Sequence, residues 1–97
     1  MTKPAYLIVD TRSSDPERMA EYRRLAQAAV EKFGGRYLVR GSPHTTLEGS
    51  WQPTRLVVVM FPSMEVARKF YDSPEYGVAR SARRGVSDFD MLLVEGY

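Results

Sequence analysis

The sequence predicts an α+β domain: a four-stranded antiparallel sheet with helices on one face, in the order β-α-β-β-α-β. Short apolar, β-branched runs bounded by turn formers ("AYLIVD", "RYLVR", "RLVVVMF", "FDMLLVEG") read as strands. Between the first and second runs, and again between the third and fourth, apolar residues recur at three- and four-residue steps, the helical period. The 97 residues suit a single domain spanning 1–97, and no linker, repeat or low-complexity segment divides them.

Each element has its own signals. "AYLIVD" (Ala5 to Asp10) is the first strand. Asp15 can cap a helix, Pro16 fits the first turn where its missing N–H costs nothing, and Glu17 complements the dipole. Met19, Tyr22, Leu25, Ala26, Ala29, Val30 and Phe33 then form one apolar stripe, ended by Gly34-Gly35. "RYLVR" is the second strand, with Arg36, Leu38 and Arg40 on one face and Tyr37 and Val39 on the other. "TTLEG" is expected as a short returning strand or edge extension, and "WQP" as a turn. Arg55 to Phe61 is the strongest strand. Ser63 caps a helix with Val66, Ala67, Phe70 and Tyr71 inward, and Ser73-Pro74 restarts helix as far as Gly85. Gly77 weakens that last helix. Phe89 to Gly96 is the final strand.

Composition narrows the function classes. With 43% apolar and 27% charged residues the chain is an ordinary globular one. Absence of cysteine excludes disulfides, thiolate nucleophiles and cysteine metal sites. The apolar run near the start is too short for a signal-peptide core or a bilayer span, so no membrane partner and a cytoplasmic location are expected. Net charge is only +2, and the one basic cluster, "RSARR" (Arg80 to Arg84), reads as a solvated helix face.

The strand order is ferredoxin-like, a split β-α-β arrangement. A sheet covered by helices on one side and water on the other should alternate apolar and polar residues. "YLIV", "LVVVM" and "MLLV" do not alternate. The helices cover one face, so a second copy is expected to cover the other, giving a homodimer through the sheet face.

Three motifs carry a resemblance: the double glycine of "GGRYLVRG", the Glu-Gly-x-Trp-x-Pro-x-Arg turn in "LEGSWQPTRLVVVMFPS", and the restart "FYDSPEY". Together they resemble the bacterial family called domain of unknown function 1330, over about Ala5 to Gly96. The resemblance implies a dimeric α/β barrel and no established activity. Wider relatives of that superfamily include cofactor-free monooxygenases, small-molecule isomerases and haem-binding enzymes. His44 has no counterpart in the family motif.

The candidate residues concentrate in "RYLVRGSPHTTLEGSW". Arg40, at a strand end, can hold a carboxylate or enolate through paired hydrogen bonds, or can pair with Glu48 across the turn. Glu48 is a candidate general base, a role in competition with that pairing. Asp10 is a candidate pocket carboxylate or a cap for the loop after it. His44 is the chain's one imidazole, a side-chain type suited to proton transfer, but it has no second histidine or cysteine to form a metal site, so neither a metal nor a cofactor is expected. Trp51, Arg55, Tyr71 and Tyr76 are candidate walls of a small-molecule cleft between helices and sheet.

These residues point to a small-molecule enzyme or ligand binder acting on a small organic acid or phenol, by proton transfer or cofactor-free oxidation. A non-catalytic dimeric ligand-binding or interaction module is the alternative. RNA binding shares the strand order, but its base-stacking aromatics are replaced by the aliphatic "LVVVM", so no nucleic-acid partner is expected.

Overall fold

The computed structural model describes residues 2–97, with elements β1 (Ala5–Ser13), α1 (Pro16–Lys32), β2 (Arg36–Arg40), β3 (Leu56–Phe61), α2 (Met64–Asp72), α3 (Pro74–Ala82) and β4 (Ser87–Glu95). The helix starts follow the capping chemistry. Asp15 accepts from the Arg18 N–H at 3.1 Å and Ser63 from the Val66 N–H at 3.1 Å. Ser73 serves two helices: its hydroxyl donates to the Phe70 carbonyl at 2.7 Å and accepts from the Tyr76 N–H at 3.1 Å. That buried junction directs Tyr76 into the core, where it is 1% exposed.

The strands form one antiparallel sheet in the order β2-β3-β1-β4, the ferredoxin-like arrangement. Ala5, Leu7 and Val9 of β1 and Val59 and Phe61 of β3 face the helices and meet Ala26, Ala29, Val30, Ala67, Phe70, Tyr76 and Ala79. Alternate residues, including Tyr6, Ile8, Leu56, Val58, Met60, Leu92 and Val94, lie on the open face, where Leu92 is 61% exposed. The strands are thus apolar on both sides, and within the chain only one side is covered.

The expected barrel is corrected. The sheet is open: β2 and β4 are its two edges and do not pair with each other. Closure requires edge strands to meet, and four strands are about half of what a barrel needs to surround filled side chains.

Three local expectations also change. β1 continues to Ser13 because it pairs with β4 along that whole length, from Ala5↔Glu95 to Ser13↔Ser87. "TTLEG" forms no strand; residues 42–54 are an irregular loop, and β3 begins at Leu56. In β2, Tyr37 pairs with Val59 but Val39 pairs with Val58, so Leu38 is the extra residue of a bulge. The bulge breaks the alternation. Arg40, opposite Val57, joins Tyr37 on the helix-covered face and leaves Arg36 and Val39 on the other. Among the described residues, no helix is long and apolar enough to cross a membrane.

Candidate functional site

A cleft opens between the sheet and α1 and α3, toward the β2 edge. Its floor is aliphatic (Leu7, Val9, Val57, Val59), and its polar groups are Thr11, Tyr22, Tyr37, Tyr76 and the arginines Arg23, Arg40 and Arg55. The closed interior is small, ≈ 40 Å³, while the void counted out to its open mouth is ≈ 520 Å³. The enclosed space is far below that of a small-molecule site, so a ligand would sit in the open mouth or require the cleft to widen.

Sequence periodicity explains which side chains arrive there. On α1, Met19, Tyr22, Arg23, Ala26 and Val30 occupy one helical face. Gly41, at φ +71°, ends β2 with no side chain, and an added Cβ would lie 2.8 Å from Arg55 Nε. The Arg55 guanidinium therefore packs flat against Gly41. Arg40 lies over the Tyr37 ring at 4.3 Å.

The three arginines have no acid opposite them. The ion pairs among the described residues join Arg12 to Asp10 and Asp90, Arg24 to Glu21, Lys32 to Glu75 and Lys69 to Glu65. None involves Arg23, Arg40 or Arg55. Partial burial, followed by the charges of Arg23 and Arg40, holds the Arg55 guanidinium below its usual pKa. Deeper in, the Tyr22 and Tyr76 hydroxyls lie 2.8 Å apart, and burial, reinforced by Tyr76, pushes the Tyr22 phenol far above the usual range. The Thr11 hydroxyl oxygen is buried with no hydrogen-bond partner. A buried hydroxyl without a partner is uncommon, and this one lines the cleft.

The other face of the sheet carries the opposite arrangement. Asp10 is 4% exposed and accepts from the Thr54 N–H at 3.0 Å, the Trp51 indole N–H at 3.3 Å, the Arg55 N–H at 3.4 Å and Arg12 at 3.0 Å. Burial alone would raise its pKa. The hydrogen bonds and the Arg12 charge outweigh burial and hold the carboxyl below its ordinary value. Arg12 also reaches Asp90 at 2.8 Å. The loop from Ser42 to Thr54 is thereby tied down at its C-terminal end. Within it, His44 Nε2 donates to the Pro53 carbonyl at 2.8 Å, and the Thr46 hydroxyl donates to the Trp51 carbonyl at 2.8 Å.

The eight residues singled out from the sequence are thus not one constellation. Arg40, Arg55 and Tyr76 line the cleft. Tyr71 lies outside it, its ring 5.7 Å from that of Tyr76. Glu48, His44 and Trp51 surround a shallow hollow over Leu56, and Asp10 anchors the same loop. Arg40 and Glu48 do not pair, because the bulge at Leu38 turns Arg40 to the helix side while the loop lies against the open side. Sequence reading missed Thr11, Tyr22, Arg23 and Tyr37. Only Tyr22 left a signal there, as a polar-tipped aromatic within the apolar stripe of α1.

No curated protein matches the chain. Among solved structures, a protein of unknown function from Rhodopseudomonas palustris, RPA0582, superposes with a TM-score of 0.78 at 18% identity, over 100% of this chain and 85% of that one. A dimeric ferredoxin-like protein of unknown function from Thermobifida fusca gives a TM-score of 0.60 at 13% identity, over 99% and 93% of the two chains. SnoaB of Streptomyces nogalater, a cofactor-independent oxygenase, gives 0.59 at 14% identity, over 99% and 95%. At these identities the similarity establishes the shared fold. Residues 4–97 match the family described as Domain of unknown function (DUF1330), and the chain belongs to that family.

Proposed function

We propose that this protein is a homodimeric small-molecule protein whose helix–sheet cleft takes a small organic acid or a phenol. The observation that carries the reading is the meeting of Arg23, Arg40 and Arg55 at an apolar, tyrosine-lined cleft with no acidic partner. Unpaired arginines crowded together repel one another, and a bound carboxylate, phenolate or enolate removes that repulsion. The apolar floor takes the ligand's body. The Thr11, Tyr22 and Tyr76 hydroxyls meet an oxygen at its inner end.

The chemistry such a site favours is formation and retention of a ligand anion. Arginines beside a phenol or an enolisable carbonyl stabilise the deprotonated form, and that electron-rich anion can be oxidised directly by dioxygen. SnoaB, of the same fold, is a cofactor-independent oxygenase, which supports the comparison at the level of fold alone. A second reading, a non-catalytic ligand-binding module, is favoured by one feature: among the described residues, no carboxylate or imidazole lines the cleft to act as base. Glu48 and His44, across the sheet, then belong to the loop's own architecture or to a subunit seam.

The dimer uses the open sheet face. Leu38, Leu92 and Val94 are exposed there, and Trp51 stands 59% exposed at its margin. A face of that composition favours a self-complementary partner, and the Thermobifida fusca protein of this fold is described as dimeric.

Calorimetric titration with benzoate, salicylate and neutral benzamide tests the site. Saturable binding of the anions alone, lost in Arg40→Ala with assembly intact by sedimentation, is the expected result. If Arg40→Ala unfolds the chain while affinity survives in the folded fraction, the arginine is structural and the reading fails. Native mass spectrometry of protein from its own host would identify a retained ligand, and dioxygen uptake with phenolic ligands separates enzyme from binder.

A further inference from the structure

We infer that a second pocket, beyond the C-terminal end of α3, binds the phosphate group of a small organic phosphate. Arg80, Arg83 and Arg84 converge with Tyr71, Ser87 and Phe89 around a hollow of ≈ 360 Å³. The sequence reads this cluster as a solvated helix face; Arg80 and Arg84 are indeed exposed, but two of the three guanidiniums are held against aromatic rings. Arg83 stacks on the Phe89 ring at 3.8 Å, and Arg80 lies over the Tyr71 ring at 4.7 Å.

Stacking occupies the flat face of a guanidinium and leaves its N–H groups pointing outward in the plane, the geometry that receives an anion through parallel hydrogen bonds. The Arg83 Nε–H is buried and has no acceptor. A buried charged donor in that state is unfavourable and uncommon. None of the ion pairs among the described residues involves the three arginines. The end of α3 does not account for them either, because Arg18 reaches its last carbonyls, with Nε 3.0 Å from the Ala82 oxygen and Nη2 3.5 Å from that of Ser81.

Three cations around one hollow exceed what a single carboxylate neutralises and are balanced more nearly by the charge of about −2 on a phosphate monoester. With one face of each ring taken by an arginine, the edges of the Tyr71 and Phe89 rings and the Met91 side chain suit an apolar group on that ester. Phe89 and Met91 also form the far wall of the main cleft, so the two sites are neighbours with separate cationic mouths.

The test is a nitrogen-15 NMR titration of the full chain with phenyl phosphate, inorganic phosphate and benzoate at fixed ionic strength. Phenyl phosphate is expected to shift the Arg83 Nε–H and the Gly85 and Ser87 amides saturably. Arg80→Gln and Arg84→Gln should each weaken this by about tenfold, the loss of one charged hydrogen bond, while Arg40→Ala leaves it unchanged. Arg83→Lys keeps the charge and removes the Nε–H, and should weaken binding while the fold persists. The proposal is overturned by the absence of a saturable shift, by equal binding of benzoate in this pocket, or by indifference to Arg80→Gln and Arg84→Gln. Benzoate shifts at Thr11, Tyr22 and Tyr37 in the same spectra report on the main cleft separately.

Discussion

Two charged regions lie back to back across one sheet. On the open side, Asp10 and Arg12 are saturated: the carboxylate accepts from four groups and the guanidinium pairs with two acids. On the helix side, Arg23, Arg40 and Arg55 line an apolar cleft with no acid among them. The difference separates architecture from recognition. A buried charge whose partners belong to the chain fixes the fold, whereas charges gathered without partners leave their electrostatic demand for a ligand to meet.

If that contrast holds, substitutions on the two sides should affect different observables. The largest effect is expected from Arg40→Ala combined with Arg55→Ala: loss of about 100-fold or more in affinity for benzoate or a phenolate, with melting temperature and assembly nearly unchanged. Binding calorimetry beside a thermal melt decides it, and a large fall in stability would place these arginines with Asp10 as architecture.

Next is Asp10→Asn, expected to destabilise the chain by about 2–3 kcal/mol in urea denaturation while ligand affinity stays within a small factor. Its pH dependence has a definite sign. The folded carboxyl has a pKa below its unfolded value of about 3.9. Its contribution is therefore complete above ~pH 4 and is lost as pH falls through the folded value. The difference between wild type and Asp10→Asn should shrink in that acid window, which denaturation at stepped pH would reveal.

Gly41→Ala tests the link between backbone and site. The left-handed φ costs about 1 kcal/mol for alanine, and the new methyl displaces Arg55, so affinity should also fall several-fold. Loss of stability without loss of affinity would detach Arg55 from ligand binding. The smallest effect is expected from Tyr22→Phe, about 1 kcal/mol for one hydrogen bond, measured by chemical denaturation. Spectrophotometric titration should show one fewer tyrosine that resists ionisation until unfolding in the variant than in the wild type, Tyr37 being raised by burial in both.

Much of the fold was legible in local chemistry. Asp15, Ser63 and Ser73 predicted three helix starts because a cap acts within three residues of itself. The strands were legible from their β-branched runs, although β1 proved longer, since its last residues are held by pairing with β4 rather than by composition. The candidate site was only partly legible. Arg55 and Tyr76 were found, and Arg40 was found on a face that alternation assigned differently. Thr11 and Arg23 carry no distinguishing local signal, since a threonine in a strand and an arginine on a helix are commonplace.

The sequence by itself determined the elements, their order, the caps and the excess of apolar surface on both faces of the strands, because each depends on residues near one another in the chain. Tertiary structure alone decided that the sheet stays open, that Asp10 ties down a loop more than forty positions away (Thr54 and Arg55), and that one extra residue at Leu38 turns Arg40 toward Arg23 and Arg55. The physical reason is parity. Side chains alternate along a strand, so a single unpaired residue reverses every face beyond it, and only the neighbouring strand determines where that residue falls.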